Sequence, residues 1–422
     1  MTLEQWLAHI ERQHAQPIAL GLDRVLRVKQ ALGQRQACPV ILVGGTNGKG
    51  STCAMLETVL LRAGYRVGLY TSPHLLRYNE RVRIDGRAVD DAALCAGFAR
   101  VEAGRKQAGD VALTYFEFGT LAAWEVFAAQ PLDAVILEVG LGGRLDATNV
   151  YEPDCSIVTG IDLDHMDYLG ATRDAIGFEK AGIFRAGRPA ICGDAEPPAT
   201  LVAHAAAIGA DLQVLGRDFG YVRQEGQWQY WGRDGQKGGL AHPALRGRHQ
   251  LANASCVLAA LAALHEALPV AMQDIRRGLL EVEVPGRFQV LPGRPTVVLD
   301  VAHNPQAARV LADNLGSMAF HPTTWGVFGM LRDKDIDGVV RALGTRIDRW
   351  LPCTLEGPRA ASADDLAAIL ANAGVAEPLP RFDSPAAAIA FAQEKANEND
   401  RIVAFGSFLT VADVMRFLGR KA

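Results

Sequence analysis

Short runs rich in Val, Ile and Leu alternate along the chain with longer Ala/Leu-rich stretches whose apolar positions recur at helical spacing. "PVILVG", "RVGLYTS", "DAVILEVG" and "CSIVTGI" are the early strands, each ending in small or polar residues. This alternation predicts an α/β fold, a parallel sheet covered by helices, with ligands gathered at the carboxyl ends of the strands. From Phe219 to Leu240 the pattern changes to "FGYVRQEGQWQYWGRDGQKGGL", where aromatic and polar residues alternate around glycine turns, and it predicts antiparallel hairpins. A helix-rich piece, "NASCVLAALAALHEAL", comes next. Pro285 and Gly286 in "EVEVPGRF" then precede a second β/α series, "PTVVLDVAHNP", "TTWGVFGM", "DRWLPCTL" and "RIVAFGSF". A domain boundary there gives domains of residues 1–285 and 286–422. "ADDLAAILANAG" and "SPAAAIAFAQEKA" are amphipathic helices, and no repeat of fixed period is visible.

Composition narrows the class of protein. A chain of 422 residues exceeds what one hydrophobic core usually organises, which favours two domains. With 49% apolar and 21% charged residues it is a globular composition, and a net charge of −4 offers no basic excess for a nucleic-acid backbone. "MTLEQWLAHI" lacks the basic start and apolar run of a signal peptide, and no segment is an uninterrupted apolar run of membrane-spanning length. The expectation is a cytoplasmic protein without membrane or nucleic-acid partners. Its seven cysteines are odd in number and scattered, with no C-x-x-C pair, which favours reduced thiols over disulfides or a zinc site.

"VGGTNGKGST", Val43 to Thr52, joins an apolar strand to a helix. Gly45, Gly48 and Gly50 permit positive φ and close backbone approach, so that N–H groups and the positive end of a helix starting near Ser51 meet phosphates. Lys49 adds a fixed cation, and a hydroxyl from Ser51 or Thr52 can ligate Mg²⁺. The common loop, G-x-x-x-x-G-K-[ST], puts the hydroxyl directly after the lysine; here Gly50 intervenes. Glu138 ends the strand "DAVILEVG", a carboxylate where ligands bind. Ser72 in "YTSPHL" also follows a strand, although by itself Ser-Pro reads as a turn. His165 stands among Asp162, Asp164 and Asp167 just beyond the strand "CSIVTG", a candidate metal ligand. Lys180 in "FEKAGIFR" is, on its own, simply a lysine.

With its extra glycine, "GTNGKGST" resembles the nucleotide loop of the Mur ligase superfamily. "YTSPHLLRYNERVRIDG", "LTYFEFGTLAA", "LEVGLGGRLDATN", "DHMDYLG", "EKAGIFR", "DVAHNP", "GMLRDKD" and "FGSF" are similar, in consistent order from about Ile18 to the C-terminus, to the folylpolyglutamate synthase/dihydrofolate synthase family. The resemblance implies a P-loop Mur-ligase-type central domain followed by a Rossmann-like C-terminal domain. The activity it implies is ATP-dependent addition of L-glutamate to dihydropteroate, giving dihydrofolate, and to reduced folates, through an acyl phosphate. Such chemistry is mostly positioning and charge neutralisation.

The same resemblance assigns residues. Asn47, Gly48, Lys49, Gly50, Ser51 and Thr52 would bind ATP, with Asn253 near the adenine, Arg287 at the phosphates, and Asp300 and His303 as nucleotide contacts from the second domain. Ser51, Ser72 and Glu138 would hold one Mg²⁺, and His165 with a carbamylated Lys180 a second; Lys49, Glu138, His165 and Lys180 carry the catalytic roles. Closure of the second domain would complete the site and exclude water. Asn253, read without the family, is a helix cap.

For the acceptor, "ALGLDRV", "LTYFEF" and "GRLDATN" imply contacts from Leu20, Gly21, Leu22, Thr114, Tyr115, Phe116, Glu117, Leu145, Asp146 and Ala147. Tyr115 and Phe116 suit stacking on a flat ring and equally suit a core. Arg81 and Arg77 either meet an anionic substrate group or form an exposed basic face. "RLDA" resembles members accepting dihydropteroate as well as reduced folates, and the resemblance suggests a monomer. Leu409 in "FGSFLTVA" stands where many relatives have histidine. The competing readings are a folylpolyglutamate synthase only, a cell-wall Mur ligase, which would usually carry a further N-terminal domain, and a nucleotide-dependent switch, for which an N-K-x-D element is missing.

Overall fold

In the computed structural model, which describes residues 1–16, 18–247, 249–375 and 379–420, the run before the glycine-rich loop is a strand, β1 (Val40–Gly44), buried at every position. A strand covered on both faces needs no polar alternation, which is why its sequence is continuously apolar. Seven further strands join it among the described residues: β2 (Val67–Tyr70), β3 (Val82–Ile84), β4 (Arg87–Ala88), β5 (Ala134–Glu138), β6 (Cys155–Val158), β7 (Pro189–Cys192) and β8 (Asp211–Val214). Their order is β4-β3-β2-β5-β1-β6-β7-β8. All neighbours pair in parallel except β2–β3 and β3–β4. The four runs read as early strands are β1, β2, β5 and β6, at the centre of this sheet. β7 and β8 were not read from the sequence; "PAIC" and "DLQV" are short and open on proline and aspartate. The β3–β4 hairpin was also missed, although Asp85 and Gly86, both at positive φ, are the Asp-Gly pair that tight hairpin turns favour.

The aromatic–polar stretch forms β9 (Gly220–Arg223), β10 (Gln227–Gly232) and β11 (Gly235–Ala241), antiparallel as the pattern predicts, with Trp228 and Tyr230 buried on alternate positions of β10. These elements lie in a unit formed by Met1–His74, Tyr78–Ala244 and His249–Val282. Val40, Leu42, Val135, Leu137 and Phe118 are part of its core.

The second unit takes in Glu283–Ala422 and also Leu75–Arg77 and Leu245–Arg248, so it is not a single stretch of sequence, unlike the one cut expected after residue 285. Its sheet contains β12 (Gln289–Leu291), β13 (Thr296–Leu299), β14 (Thr324–Phe328), β15 (Arg349–Pro352) and β16 (Arg401–Phe405) in the order β12-β13-β16-β14-β15. Only β12, an edge strand absent from the sequence reading, runs antiparallel. Alternate side chains enter opposite faces: Val298 and Val403 pack with Leu311 and Val340, whereas Val297, Leu299 and Ile402 pack with Leu75 and Val411.

Candidate active site

β1 delivers the chain into the glycine-rich loop at the carboxyl edge of the first sheet. The Thr46 N–H donates to Gly160 O at 2.8 Å, and the Thr159 hydroxyl donates to Asn47 O at 2.7 Å, which pins the loop to the segment after β6. Gly45 sits at φ +135, where an added Cβ would stand 1.8 Å from Thr159 Oγ1. Gly48, at φ +93, caps the helix Lys49–Arg62, which begins two residues ahead of the expected Ser51; a Cβ on it would lie 2.6 Å from Asn253 Oδ1. Asn253 therefore stands directly against the loop. It lies inside the helix His249–Ala263 and not at its cap, and its Nδ2 donates to Gln250 Oε1, whose own amide reaches Ser51 Oγ at 3.3 Å. Ser51 and Thr52 are buried, and Thr52 Oγ1 has no protein hydrogen-bond partner.

Lys49 folds back on its own loop, donating to Gly45 O at 3.0 Å and to Thr46 O at 3.1 Å. Lys180, from the helix Arg173–Ala181, donates to the same Gly45 O at 2.9 Å and is only 4% exposed. Burial, together with the Lys49 charge, lowers the Lys180 pKa to about 7, against the opposing pull of Asp164 and Asp146. Glu138 closes β5 beside Val43 and is 4% exposed. The Ser72 N–H donates to Glu138 Oε2 at 3.0 Å, so the two expected metal ligands sit together on neighbouring strand ends. His165 adopts left-handed backbone geometry at φ 51, and its N–H donates to Asp164 Oδ1 at 2.9 Å. Among the described residues no group of three His, Cys, Asp or Glu side chains is placed to hold a metal; the expected sets instead mix hydroxyl and lysine groups with Glu138 and His165.

A cavity of about 290 Å³ opens at these strand ends, walled by the segments around Leu20, Thr114–Glu117 and Leu145–Ala147, with Arg81, Ser72 and His165. Gly21 and Leu22 are not in its wall; Gly21 N–H ties the first segment to Leu145 O at 3.4 Å, and Leu22 precedes the helix Asp23–Leu32. Tyr115 and Phe116 line the cavity and also pack on Tyr78 and Tyr70 at ring separations of 5.8 and 5.9 Å. Arg81 is not part of an exposed basic face. Its Nε donates to His74 Nδ1, and its guanidinium lies over the Tyr78 and Tyr115 rings. Arg77 is exposed. Asp146 is buried, which raises its pKa, and it accepts from Thr148 N, Thr148 Oγ1 and Leu141 N. Glu117 is committed elsewhere: Arg24 holds its carboxylate, with Nη2 at 2.7 Å from Oε1. Arg24 was not singled out from the sequence, although it stands inside the quoted "ALGLDRV".

In the second unit Arg287, Asp300 and His303 cluster. Asp300 was expected to contact the nucleotide; each of its carboxylate oxygens already accepts a backbone N–H, from Phe288 and from Ala302, both at 2.8 Å. Burial pushes its pKa up to about 6, with the Ala302 N–H, Arg287 and the Phe288 N–H acting against that. Arg287 lies over the Phe408 ring at 4.9 Å, Phe408 packs against His303, and His303 Nδ1–H donates to Val301 O. None of the seven cysteines is in a disulfide, and among the described residues no helix is long and apolar enough to cross a membrane.

Comparison with known proteins gives the family. The Mur ligase middle domain model matches residues 43–261, and the model of the Mur ligase glutamate ligase domain matches residues 286–408. The dihydrofolate synthase/folylpolyglutamate synthase of Escherichia coli (strain K12) is 44% identical over 417 residues, covering 99% of this chain and 95% of that protein. The chain belongs to the dihydrofolate synthase/folylpolyglutamate synthase family of Mur ligases. Another dihydrofolate synthase/folylpolyglutamate synthase, from Haemophilus influenzae, is 41% identical, covering 97% of this chain and 96% of that one. Among solved structures of this family, Escherichia coli FolC in complex with DHPP and ADP superposes with a TM-score of 0.93 at 43% identity, covering 99% and 98% of the two chains. A bifunctional folylpolyglutamate synthase/dihydrofolate synthase with Mn, AMPPNP and L-glutamate bound gives 0.90 at 44% identity, again covering 99% and 98%.

Proposed function

We propose that this family member is an ATP-dependent ligase that joins L-glutamate to dihydropteroate and to reduced folates, acting as a cytoplasmic monomer. One observation carries the proposal: the cavity suited to a flat, acid-bearing acceptor shares Ser72 and His165 with the strand ends that hold the phosphate loop, and Ser72 is bonded to Glu138.

Amide formation from a carboxylate at neutral pH needs a leaving group. In this reading the γ-phosphate passes to the acceptor carboxylate, ADP departs, the glutamate amine attacks the acyl phosphate, and phosphate leaves with the proton shed to solvent. Lys49 and the loop N–H groups offset the phosphate charge, and burial of the reacting end limits hydrolysis. The residues fit a pair of divalent ions in this sense: Glu138 is a buried strand-end carboxylate, Thr52 has an orphaned hydroxyl beside Ser51, and Lys180 carries an amine held close to neutrality. Ser51, Ser72 and Glu138 would hold one ion; His165 and Lys180, the latter as its CO₂ adduct, would hold the other. Mg²⁺, when bound, supplies charge neutralisation and orientation of the phosphates. Asn253, Arg287, Asp300 and His303 are proposed nucleotide contacts, and Leu145, Asp146 and Ala147, with Tyr115 and Phe116, are proposed contacts to the acceptor.

The test is ADP release from ATP, Mg²⁺ and L-glutamate with either dihydropteroate or tetrahydrofolate. Glutamate-dependent release with each acceptor is expected. Release with tetrahydrofolate alone removes the synthase half, and release with neither rejects the proposal.

A further inference from the structure

The wall of the cavity nearest the N-terminus has no regular secondary structure of its own. Residues 18–21 run as irregular chain into the helix Asp23–Leu32, and such a segment holds its place only through bonds to its surroundings. Beside the Gly21 N–H bond to Leu145 O, Arg24 in the first turn of that helix provides such a tie. Its Nη2 reaches back to Ala19 O at 2.5 Å and forward to Glu117 Oε1 at 2.7 Å. Its Nε meets both Glu117 oxygens, at 3.1 and 3.2 Å. Glu117 in turn belongs to the first turn of the helix Tyr115–Ala128, where its Oε2 accepts from Thr114 N at 2.8 Å and its own N–H donates to Thr114 Oγ1. One guanidinium thus joins the Leu20 wall to the Thr114–Glu117 wall.

The electrostatics favour a fixed arrangement. The Glu117 side chain is 5% exposed and that of Arg24 29%, so removing the arginine would leave a nearly buried carboxylate without its cation. The planar fork suits this task, whereas a lysine could offer only a point charge. With its carboxylate held by Arg24 and Thr114, Glu117 stands fixed in the cavity wall, and Arg24 lies behind it.

We infer that Arg24 is a positioning residue of the acceptor pocket, acting through Glu117 and Ala19 O to hold two of its walls at the spacing the acceptor requires. The inference rests on the reading of this cavity as the dihydropteroate and folate site. It is tested in the full chain with Arg24→Ala and Arg24→Lys, by measuring KM for dihydropteroate, KM for ATP, kcat and the thermal midpoint. Arg24→Ala should raise the dihydropteroate KM about tenfold or more, leaving KM for ATP within about twofold, as expected when a charge-assisted pair is lost from one subsite. Added guanidinium ion should recover part of the lost acceptor affinity, and Arg24→Lys should raise the same KM by a smaller factor. An unchanged acceptor KM overturns the inference, and so does a parallel rise in KM for ATP with a fall in kcat, which would mark a general structural loss. Should Arg24→Ala fail to fold, Arg24→Lys decides by the same two criteria. Absence of acceptor-dependent turnover in the unsubstituted enzyme sinks the ligase reading together with this inference, whereas turnover with an untouched acceptor KM sinks this inference alone.

Discussion

The backbone oxygen of Gly45 receives two lysine ammonium groups, from Lys49 and Lys180, and this fixes much of the site's behaviour. Burial, and after it repulsion from Lys49, brings the Lys180 pKa down from 10.5 to about 7, so above that pH the folded chain holds the amine mostly neutral. An unfolded chain keeps the proton up to its ordinary pKa; between those two values the unfolded state binds more protons, and stability contributed here rises with pH. CO₂ adds only to the neutral amine, so on the proposed reading of Lys180 as a CO₂ adduct, activity at fixed bicarbonate should fall as pH drops below about 7. A pH–rate profile at fixed bicarbonate checks this, and Lys180→Met should flatten it at a low rate. Glu138→Ala should lower kcat by about a hundredfold or more at saturating Mg²⁺, the order of losing a buried electrostatic group in a reacting site. Gly48→Ala should raise KM for ATP, because a side chain there meets Asn253 and takes a left-handed backbone costing about 1–2 kcal/mol. The placement of Lys49 in the glycine-rich loop and of Glu138 at a strand end was legible because strand ends and glycine turns announce themselves locally. Lys180 was legible only through family resemblance, since its character comes from burial beside Lys49, and Arg24 was missed because its partner, Glu117, lies far away in sequence.

Elements differ in how plainly they were written. β1, β2, β5 and β6 are buried throughout, and continuous apolar runs gave them away. β8 and β12 are partly exposed edge strands of three or four residues, too short to impose a pattern. Some helix starts carry a local cap that the sequence reading did not use. Thr114 and Glu117 form a reciprocal capping box, and Thr114→Ala should cost about 1 kcal/mol in urea unfolding, within the usual range for a lost N-cap. Because Glu117 also holds Arg24, the same substitution should weaken acceptor binding more than ATP binding, which acceptor and ATP KM values will separate. Asn253 shows the limit of such reasoning: its residue type suits a cap, yet it lies within the helix His249–Ala263, where contact with the loop at Gly48 accounts for its position.

At the scale of the whole chain, both fold class and family were visible before any coordinates, since β/α alternation and ordered motifs extend along nearly its full length. The interruption of the second unit was not visible, because nothing in "LLR" signals a change of neighbours. Ligand linkage offers a global check. A non-hydrolysable ATP analogue at a hundred times its Kd should stabilise the chain by about 2.7 kcal/mol, read as a rise in thermal midpoint. The Glu138→Ala variant should show a smaller rise if this carboxylate supports metal-dependent nucleotide binding. Leu75 carries a last consequence. It packs with Val297, Leu299 and Val411, so a shortened protein expressed from residue 283 onward would arrive with a leucine-sized hole in its own interior. Emptying such a position costs about 2–5 kcal/mol, a large share of a small domain's margin, so anyone severing the C-terminal part for separate study should expect poor yield until that plug is restored.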